Sequence, residues 1–206
     1  MAQRDVAGEQ HGNRRAAPSI EARMEPTAEH LWALVLAGGD GTRLQSLTRV
    51  IAGAPIPKQY CRIVGDRSLL EATLERIARA VAPERTLAIV NRAHLRLARP
   101  QLATLPQANV LVQPVNRDTG LGILVSLLEL ARRDASAAVA MFPSDHDVRD
   151  GSAFRRHVVR MADLVDAHPD RIVLLGARPD RPDPGFGYIA PGPRVDASGT
   201  VFRVIA

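Results

Sequence analysis

The chain has 206 residues, 46% of them hydrophobic, the composition of one folded domain with a sizeable core. Lys+Arg number 27 against Asp+Glu 22, a net charge of +5, yet the cations are scattered and aromatics are only 3%. That is too few rings for the stacking platforms of a nucleic-acid binder. One cysteine, Cys61, excludes an intramolecular disulfide or a cysteine-built zinc site, and no apolar run reaches membrane-spanning length.

Residues 1–30 are polar, carry Arg14-Arg15 and Pro18, and show no apolar period, so a mobile tail is expected there. The tail lacks the apolar middle of a secretion signal, which makes the cytoplasm the expected compartment, with neither membrane nor nucleic acid as partner. The run from Leu31 to Leu36 leads into Ala37-Gly38-Gly39-Asp40-Gly41-Thr42-Arg43-Leu44. A short apolar run bounded by glycines reads as a buried strand of a parallel sheet. The glycines permit positive φ and let backbone N–H groups approach a ligand, and Arg43 adds a planar cation suited to phosphate.

Residues 44–50 read as a short helix or an irregular segment, and Pro55 and Pro57 then break any periodicity. Ser68 with Glu71 forms a capping box ahead of apolar residues at Leu70, Leu74, Ile77, Ala78 and Val81. Further strands are expected at 86–90, 109–112, 137–142 and 171–175, with helices at 93–104, 120–131 and 152–168 between them. A hairpin or mixed strands over Tyr188-Ile189 and 201–205 follow a Pro/Gly-rich stretch. The alternation predicts an α/β fold: a Rossmann-like, open, mostly parallel sheet with helices on both faces. In such sheets ligands bind beyond the carboxyl ends of the strands. Three unusual segments, 38–43, 113–119 and 143–146, each directly follow a predicted strand and so converge on one rim.

Gly38-Gly39-Asp40-Gly41-Thr42-Arg43-Leu44 followed by Pro57-Lys58-Gln59 resembles the opening motif of the sugar-nucleotide pyrophosphorylases, or nucleotidyltransferases. Pro57-Lys58-Gln59-Tyr60, Pro143-Ser144-Asp145-His146 and Gly185-Phe186-Gly187-Tyr188-Ile189 most resemble the mannose-1-phosphate guanylyltransferases among them. The resemblance implies the nucleotide-diphospho-sugar transferase type of fold. It also implies joining of a nucleoside triphosphate, GTP favoured, to a sugar 1-phosphate, mannose 1-phosphate favoured, with release of pyrophosphate.

On this reading Arg43 and Lys58 act on the phosphates, and Lys58 is the one lysine in an arginine-rich chain. Leu36, Ala37, Gly38, Gly39, Gly41 and Thr42 line the nucleotide, and Gln113, Asn116 and Thr119 face base and ribose. Gly187 and Tyr188 lie along the sugar, and Asp145 holds Mg²⁺. The two small molecules are the expected partners, and a homo-oligomer is open. The family continues with a Glu-Lys-Pro segment and a later aspartate, so residues 31–206 are expected to be a nucleotidyltransferase domain incomplete at its sugar-binding end. Two other readings compete: a catalytically incomplete nucleotide-binding or regulatory fragment, and, remotely, a lipid- or NAD-type kinase using Asp40 of Gly-Gly-Asp-Gly-Thr. The kinase motif normally lies well inside its domain, whereas here it follows the first strand.

Overall fold

The computed structural model describes residues 30–205, so the expected tail falls outside the described residues except for His30. His30 is fixed rather than free: its carbonyl accepts from Ala138 N at 2.9 Å, continuing the adjacent strand ladder. In chain order the elements are β1 (Leu31–Ala37), α1 (Gln45–Ala52), α2 (Leu69–Ala78), β2 (Thr86–Asn91), α3 (Leu95–Gln101) and β3 (Val110–Gln113). They continue with α4 (Asp118–Arg133), β4 (Ala138–Pro143), α5 (Gly151–Ala167), β5 (Ala190–Arg194) and β6 (Phe202–Ile205).

The sheet runs β3-β2-β1-β4 with every pairing parallel. β1 is central, and alternation along it assigns the two faces. Leu31, Ala33, Val35 and Ala37 meet Leu70, Leu74 and Ile77 of α2, Ala98 of α3 and Val158 of α5. Leu34, with Trp32 and Leu36 alongside, meets Leu130 of α4 on the opposite face. Helices therefore cover both faces, as the sequence alternation requires. The Ser68–Glu71 capping box is present with both hydrogen bonds made, and it starts α2 where expected.

Two local expectations are corrected. Residues 171–175 form no strand, and Ile172 is 91% exposed. A run of apolar residues becomes a strand only when a neighbour takes its backbone groups, and this run has none among the described residues. The hairpin strand expected at Tyr188-Ile189 begins instead at Ala190, pairs antiparallel with β6, and changes register between Pro191 and Arg194. Proline cannot donate to the ladder, so Pro191 and Pro193 enforce that irregularity. On α4, Gly122, Ser126 and Leu130 are buried, whereas Leu121, Leu124, Val125 and Leu128 stay exposed.

Candidate functional site

The glycine turn leaves β1 at the carboxyl rim of the sheet and is held there by the segment around Lys58. Gln59 and Tyr60 are buried under it. The Tyr60 hydroxyl donates to the Ala37 carbonyl at 2.7 Å, and Gln59 Nε2 donates to the carbonyls of Gly39 at 2.7 Å and Ala37 at 3.3 Å. Burial pushes the Tyr60 phenol well above its ordinary range, so it remains a donor. Gly41 sits at φ 60°, and a Cβ there would stand 3.0 Å from both Lys58 N and Pro57 Cα. Only glycine satisfies both the backbone angle and that approach. Turn and Pro57-Lys58 thus pack backbone to backbone.

Lys58 Nζ lies 2.9 Å from Asp145 Oδ2, with the two side chains 33% and 29% exposed. Asp145 reaches this position because the loop after β4 is tied down twice. Ser144 donates through Oγ (2.7 Å) and N (3.3 Å) to the Leu36 carbonyl. Arg76 of α2 donates to the His146 carbonyl at 3.1 Å while its guanidinium lies 5.3 Å from the Phe154 ring centre. Arg43 stands exposed on the 3-10 turn Thr42–Leu44, beside Thr42, and its side chain makes no hydrogen bond or ion pair among the described residues.

The other side of the turn faces β3. Gln113 is 9% exposed, and its carboxamide is wedged between two glycines: a Cβ on Gly38 would meet its Oε1 at 3.1 Å, and one on Gly122 its Nε2 at 3.2 Å. Asn116 donates from Nδ2 to Asp40 Oδ2 at 2.8 Å and accepts at Oδ1 from Asp118 N at 3.0 Å. Asp40 also meets His94 Nε2 at 2.9 Å and Asn91 Nδ2 at 3.4 Å. Hydrogen bonds from Asn116 first, then His94, hold the Asp40 carboxyl below its usual range. Thr119 is exposed on the first turn of α4.

The structure therefore joins Lys58 to Asp145 and gathers Gly38, Gln113, Asp40 and Asn116 around the same turn. Leu36 and Ala37 enter through their carbonyls, which are already taken by Ser144 and by Tyr60 and Gln59. Gly187 and Tyr188 are not drawn in by hydrogen bonding. The Tyr188 hydroxyl accepts from Asp183 N at 2.7 Å and donates to Asp183 O at 2.9 Å, both in its own proline-rich loop. Sequence reasoning missed Asn91, His94, Gly122 and Arg76, which carry no local motif; the only available signal for Gly122 was a glycine inside a helical pattern.

A divalent cation suits the donor set. No group of three or more His, Cys, Asp or Glu side chains stands together among the described residues, as a protein-only cage would need. One carboxylate, Asp145, paired with Lys58 beside a glycine turn, suits a divalent cation such as Mg²⁺, which needs few protein carboxylates when water and phosphate oxygens complete its shell.

The model of the nucleotidyl transferase family matches residues 32–205. The xanthan biosynthesis protein XanB of Xanthomonas campestris is 36% identical over 162 residues, 77% of this chain and 33% of that protein. The mannose-1-phosphate guanylyltransferase ManC of Salmonella typhimurium is 32% identical over 166 residues, 79% of this chain and 33% of its own. The chain thus spans about a third of the length of these curated relatives. A crystal structure from Thermus thermophilus, described as a mannose-1-phosphate geranyltransferase, superposes with a TM-score of 0.70 at 39% identity, covering 82% of this chain and 47% of that one. No helix among the described residues is long and apolar enough to cross a membrane.

Proposed function

Since this chain belongs to the nucleotidyl transferase family, we propose that it supplies the nucleotide half of a sugar-phosphate nucleotidyltransferase, with GTP and mannose 1-phosphate as substrates. A phosphate oxygen of the sugar phosphate attacks the α-phosphorus of the triphosphate in line. The new P–O bond forms as the α–β phosphoanhydride breaks, and pyrophosphate leaves. Negative charge gathers between two anions that repel each other, so the protein's work is positioning and neutralisation. Backbone N–H groups of residues 38–42 cradle the triphosphate. Arg43 engages the phosphates beside the leaving pyrophosphate, and Lys58, a compact point charge, meets the α-phosphate. Asp145 holds Mg²⁺, which when bound screens the phosphate charge. Gln113, Asn116 and Thr119 face the base and ribose, and Gly187 and Tyr188 belong to the sugar side.

The observation that carries this reading is the Lys58–Asp145 pair at 2.9 Å, a cation and a carboxylate meeting beside a glycine turn. The kinase reading finds no support in the site. Asp40 would have to serve as the acting acid, yet one of its carboxylate oxygens takes Asn116 and the other His94 and Asn91. Calorimetry with GTP–Mg²⁺ and a pyrophosphate-release assay with mannose 1-phosphate test the proposal. Saturable GTP–Mg²⁺ binding is expected. Absence of binding by any nucleoside triphosphate would reject the reading, and turnover by the 206-residue chain alone would show that its sugar side is complete.

A further inference from the structure

Asp40 is not used by the mechanism above, yet it makes more side-chain contacts across the rim than any residue assigned to it. His94 follows β2, Asp40 follows β1 and Asn116 follows β3, so their bonds link the three loops that leave three adjacent parallel strands. A carboxylate only accepts, so His94 Nε2 carries the proton and donates to it. The Asn116 side chain is held at both ends by this chain: Nδ2 donates to Asp40 and Oδ1 accepts from Asp118 N. Asp118 itself stands at φ 62°, the one non-glycine residue with positive φ among the described residues. That angle is uphill for a side chain with a Cβ and persists only where the surroundings over-determine it.

We propose that His94 and Asp40 are positioning residues for the nucleoside side of the site, holding the Asn116–Asp118 turn in its strained form against the glycine turn. The imidazole orients the carboxylate, the carboxylate fixes the Asn116 amide, and the amide sets the Asp118 backbone. The loop that faces base and ribose is thereby registered to the turn that cradles phosphate before any nucleotide arrives, which lowers the ordering cost of binding. Tyr60 supports the same arrangement. Its ring centroid lies 6.0 Å from that of His94, and its hydroxyl holds Ala37 at the start of the turn. The nucleotide consequence rests on the proposed function; the tethering itself does not.

Amide hydrogen exchange on the ligand-free full chain reads the tether directly, and calorimetry with GTP–Mg²⁺ reads its use. His94→Ala should speed exchange at residues 116–119 about tenfold, the equivalent of one charge-assisted hydrogen bond, and weaken GTP–Mg²⁺ by a similar factor. His94→Gln, whose amide can still donate, should restore both. Asp118→Gly relieves the strain, so in the His94→Ala background it should recover most of the lost affinity, which a general loss of structure would not allow. Unchanged exchange at 116–119 in both His94→Ala and Asp40→Ala would overturn the proposal, as would affinity lost with exchange unmoved. If the unaltered chain binds no triphosphate, the proposed function fails while exchange alone still decides the tether.

Discussion

At the scale of single residues, the two cations of the candidate site differ: Arg43 has no ion pair among the described residues and Lys58 has one. Lys58 is balanced by Asp145 within the protein, an interaction worth about 1 kcal/mol or less at this exposure. Under the proposed function its larger value lies with the triphosphate. Lys58→Ala should cost about 1.5–3 kcal/mol of GTP–Mg²⁺ affinity in calorimetry, the usual worth of a hydrogen bond to a charged group. Lys58→Arg should not restore it fully, because a planar fork replaces a compact point charge. Asp40 gives a prediction in pH. Its carboxyl is held below the ordinary value of 3.8, so its contribution to stability is complete above that value and is lost as pH falls through the lowered one. Following Asp40 by NMR titration should show the lowered midpoint, and Asn116→Ala should move it up, since Asn116 is the largest cause.

Among elements, α2 and α4 show two ways of seating a helix. Ser68 caps α2 and also donates to Gln101 Oε1 of α3 at 2.7 Å, while being almost fully buried. Ser68→Ala should therefore destabilise by about 2 kcal/mol in urea unfolding, a cap loss plus an acceptor left unpaired. On α4 the burden falls on one residue. Leu130→Ala should cost about 2–5 kcal/mol, whereas Leu128→Ala, at a position 63% exposed, should stay within about 0.5 kcal/mol. These elements also mark what the residues alone could tell. The capping box, the four parallel strands and the convergence of their loops follow from local pattern and crossover topology. The inward face of α4 does not, because its apolar stripe at 121, 124, 125 and 128 obeys helical period while the core takes the small side chains at 122 and 126. Gly122 is small to admit Gln113, a contact between residues on different elements that no periodicity encodes. His94 and Asn91 escaped notice for the same reason: their partner is an aspartate fifty residues away. Residues 171–175 have the composition of a strand but no partner among the described residues, and composition cannot supply one.

For the molecule as a whole, the candidate site lies on one rim. The turns after β1, β3 and β4 and the start of α3 meet at the carboxyl end of the sheet, while Asp134, Ser136 and His30 close the opposite end with bonds of their own. β1, flanked on both sides and buried on both faces, is the rigid reference to which Ser144, Tyr60 and Gln59 fasten the functional loops. At the margin of the sheet the situation differs. β4 pairs with β1 alone among the described residues, and Ala138-Val139-Ala140-Met141-Phe142 carries no charge and no proline before Pro143. Such an uncharged outer strand is a template on which unfolded or neighbouring chains can crystallise into cross-strand ribbons. A gatekeeper cation at the exposed Met141 should suppress that growth. Met141→Lys is expected to raise the concentration at which light scattering appears on warming, with triphosphate affinity preserved.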